Sequence, residues 1–304
     1  MAITTSAPNQ SADMLRDVKL AHIPFPVTRV ALWVFTLAVA LGFAYIVAVN
    51  PNFGWPVVAQ YIFDPTVMQG LSVTLGLTVV AMIIGVVLGL ILAVARMSTD
   101  RLASSLAGLF IWFFRGTPLL VQLIFWYNMS TLFPRISIGI MSWDTNDLIT
   151  PLTAAIVGLA LNEAAYMAEI IRGGLLSVDK GQAETAEAFG MTKMRALWRI
   201  IIPQAMKSIV PPTGNQLISM IKATSLVSVI AMADLLYSVQ SIYNRTFEII
   251  PMLMVAGLWY LFITSILNVG QGAIERYYNR GDRGAADRTK QNSAPAVGAA
   301  DERV

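Results

Sequence analysis

Five ionisable side chains, Arg115, Glu163, Glu169, Lys222 and Asp234, stand in or beside stretches that are otherwise apolar. A charge held at bilayer depth is costly, so each marks a place where an ion, a polar solute or a partner charge is bound. At 100° per residue, Asn162, Tyr166 and Glu169 fall within about 60° of one another on a helix, and Glu163 borders that stripe. Asn215, Ser219 and Lys222 make a similar stripe further along. Two such faces on neighbouring helices can line a path at a subunit interface. A carboxylate there would hold an ammonium or a cationic side chain, and Lys222 or Arg115 would hold a carboxylate. The competing reading pairs these groups within the chain. Glu169 has Arg172 one turn later, Lys222 has a glutamate of the preceding span, and Arg115 can snorkel to lipid headgroups. Glu163 has no cation on its own helix within reach. Asp234, near the far end of its span, is expected to face the outer mouth or a partner protein on that side.

The composition restricts other chemistry. Of 304 residues, 56% are hydrophobic and 13% charged, about half the charge of an ordinary soluble domain. The mean hydropathy is +0.63. There is no Cys and a single His, His22, which excludes disulfides, thiol catalysis and two-His metal motifs. No glycine-rich phosphate loop is present. A net charge of +3 is too dilute for nucleic-acid binding. A membrane-embedded enzyme is disfavoured on the same grounds, and a bundle of membrane helices is expected.

A spanning helix needs about 20 apolar residues. Val30 to Val49 is an uncharged run of that length, too long for a cleaved signal core, with residues 1–29 as a polar tail. Gly70 to Ala95 is the second span and contains Gly85-x-x-x-Gly89, a pattern that permits close helix approach. The third region, Leu102 to Phe133, is interrupted at Arg115-Gly116-Thr117-Pro118, where Pro118 removes a donor and disfavours helix at Thr117. A surface piece before Arg115 and a spanning piece after it are expected. Asp144, Asp147 and Pro151 mark a loop. The fourth span runs from about Pro151 to Ile171, the fifth from about Ile209 to Tyr237, and the sixth from Ile249 to Ile274. Residues 275–304 read as a disordered polar tail. With the N-terminus inside, 17 of the 21 Lys and Arg fall on the cytoplasmic side and only Arg135 and Arg245 outside, which supports six spans with both termini cytoplasmic.

The connection from Arg172 to Lys207 is too organised for a linker. Asp179 can cap a helix with Gln182 three residues on, a capping-box arrangement. Gly190 breaks that helix, Thr192 caps a second, and Pro203 stops it. Phe189, Met191, Met194, Leu197 and Trp198 are more apolar than a free loop wants and need a groove, in this chain or a partner, or the bilayer surface.

The stretch Gln182-Ala-Glu184-Thr-Ala186-Glu-Ala188-Phe189-Gly190, followed after nine residues by Ile200-Ile-Ile202-Pro203, resembles the EAA loop of ABC-transporter permeases. Thr185 and Ile202 depart mildly from its pattern. Arg115-Gly116-Thr117-Pro118-Leu-Leu-Val-Gln122, Glu163-Ala-Ala-Tyr166-Met-Ala-Glu169 and Lys222-Ala-Thr-Ser resemble further signatures of the polar amino-acid uptake permeases. The resemblance covers about residues 69–274, with the loop at about 180–205. It implies an all-α membrane protein with a five-helix importer core and one added N-terminal helix, residues 30–49. It also implies a bacterial inner-membrane location and no enzymatic activity of the chain itself. The implied partners are an ATPase subunit carrying ATP and Mg, a second permease copy or paralogue, an extracytoplasmic binding protein and membrane lipid. Phe189, Met191 and Leu197 would anchor the loop in the ATPase, Gly190 would supply the turn, and Glu184 either pairs with the partner or is a solvated face. The rivals are an importer of the same build for an opine or organic sulfur compound, and a self-contained channel or ion-driven carrier.

Overall fold

The computed structural model describes residues 27–138 and 141–278; the tails assigned to 1–29 and 275–304 fall mostly outside them. The described chain is almost wholly helical, and it divides at Phe53/Gly54 into two units. The first unit holds helix α1 (Val27–Val49), which starts three residues earlier than expected and so includes Arg29.

The second unit begins with α2 (Trp55–Tyr61) and α3 (Pro65–Arg96). Asp64 caps α3 by accepting from the Thr66 amide, and Pro65 occupies the first turn, where its missing N–H costs nothing. Next come α4 (Arg101–Gly116), α5 (Leu119–Tyr127) and the short α6 (Met129–Leu132). The third apolar region therefore differs from the expected surface piece plus span. Its part after Arg115 is a nine-residue helix, about 14 Å long, too short to cross the bilayer alone. It meets α4 at 102°. A hairpin of β1 (Arg135–Ile138) and β2 (Met141–Asp144) pairs Arg135 opposite Asp144, where only a loop was expected. The short α7 (Thr145–Leu148) leads to α8 (Pro151–Leu176), which opens on a Thr150–Thr153 capping box.

The connection after α8 contributes α9 (Lys180–Ala188) and α10 (Lys193–Ala196). A π-helical turn, Leu197–Ile201, joins α10 to α11 (Ile202–Ala223). The fifth span does not run unbroken to Tyr237. A 3₁₀ segment follows from Thr224 to Ile230, Ala231 turns left-handed, and α12 (Leu235–Thr246) starts afresh, bent by 47°. Helix α13 (Ile249–Tyr278) extends past the expected end at Ile274 and includes Glu275. Among the described residues four helices, α1, α3, α8 and α13, are long and apolar enough to cross a membrane, and two bent pairs are the remaining candidates.

Helices α3 and α8 form the central pair. Their seam is made of small residues: a side chain at Gly85 would meet Glu163 Cγ at 2.6 Å, and one at Gly89 would meet Met167 Cβ at 2.6 Å. Ala160, Ala164, Ala165 and Ala168 of α8 are buried. Between helices surrounded by lipid tails, burial supplies no hydrophobic drive, so close backbone approach and dispersion hold such a seam. Two apolar cores flank this pair. One gathers Leu77 and Ala81 with Leu123, Leu159, Met220, Val227 and Ile230. The other gathers Val67 and Leu71 with Leu235, Val239, Met252 and Val255.

Candidate functional site

The turn of the loop between α9 and α10 is built locally. Asp179 caps α9 by accepting from the Gly181 amide at 2.6 Å. At the other end Gly190 donates to Glu187 O at 2.9 Å and Met191 donates to Ala186 O at 3.0 Å. This double closure requires a left-handed residue, and Gly190 has φ +73°. Thr192 then caps α10 through the Arg195 amide. Ala186 is buried, Met191 and Leu197 are half-buried, and Glu184 is exposed. Phe189 is 83% exposed, with Met194 and Trp198 exposed beside it.

Two expectations for this loop are corrected. Gln182 does not close a capping box; its Oε1 accepts from Gln204 Nε2 at 3.2 Å, tying α9 to the start of α11. Pro203 does not stop a helix. It lies in the first turn of α11, and the chain passes into it through the π turn, in which Ile202 N–H reaches back to Leu197 O. A proline inside an α-helix clashes with the carbonyl four residues earlier. A wider turn just before it removes that conflict and keeps α10 and α11 continuous.

The broken span explains the Arg115–Gln122 motif. In an unbroken helix Phe114 O would accept from the nitrogen of residue 118, but Pro118 has no N–H. Gln122 Nε2 donates to Phe114 O at 3.0 Å instead, and also lies 2.7 Å from Thr117 Oγ1. Asn162 Nδ2 of α8 donates to the same Phe114 O at 2.9 Å. Thr117 and Pro118 make the bend, while Gln122 and Asn162 satisfy the carbonyl it orphans. Gly116 is exposed with open space around it.

Glu169 is paired within the chain. Arg172 Nη2 donates to Glu169 Oε2 at 2.7 Å and Nε to Oε1 at 3.3 Å. Arg115 Nη1 approaches the same Oε2 at 3.9 Å while its guanidinium lies 5.3 Å from the centre of the Tyr166 ring. Glu163, by contrast, is buried at 2% exposure, inside the bundle rather than on a lining surface. Gln216 of α11 donates to its Oε2 at 3.2 Å, and Oε1 has no hydrogen-bond partner among the described residues.

Asn215, Ser219 and Lys222 do form one exposed stripe on α11. No hydrogen bond or ion pair among the described residues joins it to the polar face of α8, and Lys222 makes no ion pair with a glutamate there. Glu163, which borders the α8 face, meets α11 through Gln216, a residue outside the Asn215–Ser219–Lys222 stripe. Asp234 does not face an outer mouth. It is fully buried and caps α12 through the Leu236 and Tyr237 amides, with Tyr260 Oη 3.4 Å from its carboxylate. Thr74 of α3 accepts from the neighbouring Leu235 amide. Sequence reasoning missed this buried polar knot. The signal for Asp234 was its position as a cap before Leu235, which hydropathy does not register.

The model of the family described as binding-protein-dependent transport system inner membrane component matches residues 85–280. This chain belongs to that family. It is 46% identical over 234 residues to the arginine transport system permease protein ArgU of Corynebacterium glutamicum, covering 76% of this chain and 74% of that one. It is 38% identical over 227 residues to the L-cystine transport system permease protein TcyB of Bacillus subtilis, covering 74% and 92%. A crystal structure of an amino acid ABC transporter with histidines superposes with a TM-score of 0.63 at 37% identity, covering 72% of this chain and 97% of that one. The all-α permease fold and the inner-membrane transport role expected from the sequence both stand.

Proposed function

We propose that this chain is the permease subunit of an ATP-driven importer of polar amino acids, cationic ones among them. Both termini face the cytoplasm, ATP and Mg act on a separate ATPase subunit, and the chain itself holds no cofactor. A second permease, identical or paralogous, completes the path, and an extracytoplasmic binding protein delivers the solute. The observation that carries this reading is the loop turn. A left-handed Gly190 presents Phe189, almost fully exposed, at the tip of a capped helix pair. An exposed aromatic in a built turn suits an anchor for a partner groove, and a self-contained carrier has no use for it. The arginine transport function of the 46% identical relative supports the substrate class.

The route from loop to site in this reading runs through α11. Helix α11 continues from the loop without a break and carries Gln216, the partner of Glu163. A displacement of the loop by the ATPase pulls on α11 and loosens the α8–α11 seam. That frees the unpartnered Oε1 of Glu163 for an ammonium or guanidinium. Asn215, Ser219 and Lys222 on the exposed face of α11 then meet the second permease.

Gly190→Arg tests the reading. It places a long β-carbon side chain at φ +73°, where L residues are strained by about 1–2 kcal/mol. The variant is expected to reach the membrane yet lose substrate-stimulated ATP hydrolysis and co-purification with the ATPase. Normal stimulation would refute the coupling role. A second reading, an importer of the same build for an organic sulfur compound, is favoured by the cystine relative. Ligand-binding measurements on the cognate binding protein decide between them.

A further inference from the structure

We propose that Arg96, Arg115 and Arg172 form a binding site for the headgroup of an anionic phospholipid of the inner leaflet, with α4 as the bed for its acyl chains. The inner-leaflet assignment rests on the topology proposed above. Gly85 faces Glu163 and Gly89 faces Met167, so α3 and α8 run side by side in the same direction. Arg96 is the last residue of α3, and Arg172 lies within two turns of the end of α8. Both therefore sit at one membrane boundary. Arg96 crosses α4 at Gly108, its Nε 3.4 Å from where a side chain there would begin, and its Nη1 donates to Ser104 at 2.8 Å. Arg115 closes the other end of α4.

The charge at this place is unbalanced. Glu169 is the one carboxylate paired with this group; it meets two of the three guanidiniums, and Arg172 takes both of its oxygens. Arg115 approaches it only at 3.9 Å, with its side chain 43% exposed. A guanidinium has five N–H donors arranged as a fork that matches phosphate, and most of those of Arg115 and Arg96 are unspent among the described residues. The face of α4 turned away from the bundle carries Leu102, Leu106, Leu109, Trp112 and Phe113, all exposed, while Ala107, Ile111 and Phe114 pack inward. A helix at the bilayer boundary with an apolar outer stripe and cations at its flank accommodates tail and phosphate together. Basic pockets between helices on the cytoplasmic side suit anionic headgroups.

The test uses the full-length purified protein in neutral detergent, without ATPase or binding protein, so its outcome is separate from that of Gly190→Arg. Brominated phosphatidylglycerol and brominated phosphatidylcholine are added and tryptophan quenching is read. Subtracting the Trp112→Phe variant isolates Trp112 from the other tryptophans. Phosphatidylglycerol is expected to quench Trp112 at lower mole fraction than phosphatidylcholine. Arg115→Gln and Arg96→Gln are each expected to reduce that preference about fivefold, the effect of one cation near an anionic surface. Arg115→Lys, which keeps the charge and loses the fork, falls in between. Equal quenching by the two lipids overturns the proposal. So does an equal loss in Arg101→Gln, which would indicate diffuse attraction to a basic surface. Relief of quenching by inorganic phosphate, but not by chloride at the same ionic strength, would assign the site to a free anion and overturn it as well.

Discussion

Glu163 and Glu169 lie on the same helix, one mid-way along α8 and the other towards its end, and their surroundings differ in every respect that matters to a carboxylate. Glu169 is partly exposed and meets two guanidiniums, one of them through a two-point contact. Glu163 is closed in by Gly85 on one side and Gln216 on the other, and one of its oxygens has no donor among the described residues. A carboxylate whose charge is met by its own chain has little left for a solute. One that is buried with an unmet oxygen retains that capacity, at a cost the fold must bear elsewhere. The pair shows that position on a polar helical stripe does not decide function; what the neighbouring helices bring to the stripe does.

The strongest way to break the comparison is to crowd Glu163. Gly85→Leu places atoms where Glu163 Cβ and Cγ already stand, and overpacking of this kind costs about 1–3 kcal/mol or more. Loss of folded protein, read as the membrane yield of a tagged chain or monodisperse elution, is the expected outcome. Retention of full yield would mean that α3 and α8 are not packed as described. Next in size is Gln122→Leu, which strips Phe114 O of one of its two donors and leaves Asn162 alone to satisfy it. A loss of about 1–2 kcal/mol is expected, measured as a lower midpoint of thermal unfolding in detergent, with a further loss on adding Asn162→Leu. The smallest effect is expected for Glu169→Gln. An ion pair this exposed contributes about 0–1 kcal/mol, so its unfolding midpoint should stay close to that of the parent chain.

Local features of the chain were readable in advance. The caps at Asp179 and Thr192 and the turn at Gly190 depend on residues within a few positions of one another, and they form as their spacing implies. Pro118 announced the break in the third apolar region for the same reason. What repairs the break was not readable, because Asn162 and Phe114 are 48 residues apart and meet only through tertiary packing. Gln182 had a local role open to it and took a distant one with Gln204. Hydropathy carried the fifth span past Ala231 and Asp234 as though it were uniform, since the average over a window is blind to one left-handed residue and one cap. Glu163 and Glu169 already differed in the sequence, since only Glu169 has a cation, Arg172, one turn along its own helix; what could not be read is what other elements add, Gln216 and Gly85 at Glu163 and Arg115 at Glu169.

The most direct test of the account is the ratio of arginine to glutamine uptake in proteoliposomes holding the permease, its ATPase and its binding protein, compared for Glu163→Gln and Glu169→Gln. Glu163→Gln is expected to lower arginine uptake about tenfold relative to glutamine, the loss of one charge-assisted contact. Glu169→Gln is expected to leave the ratio unchanged. A ratio unaltered by Glu163→Gln, or altered equally by both substitutions, would contradict the assignment of Glu163 to the translocated solute.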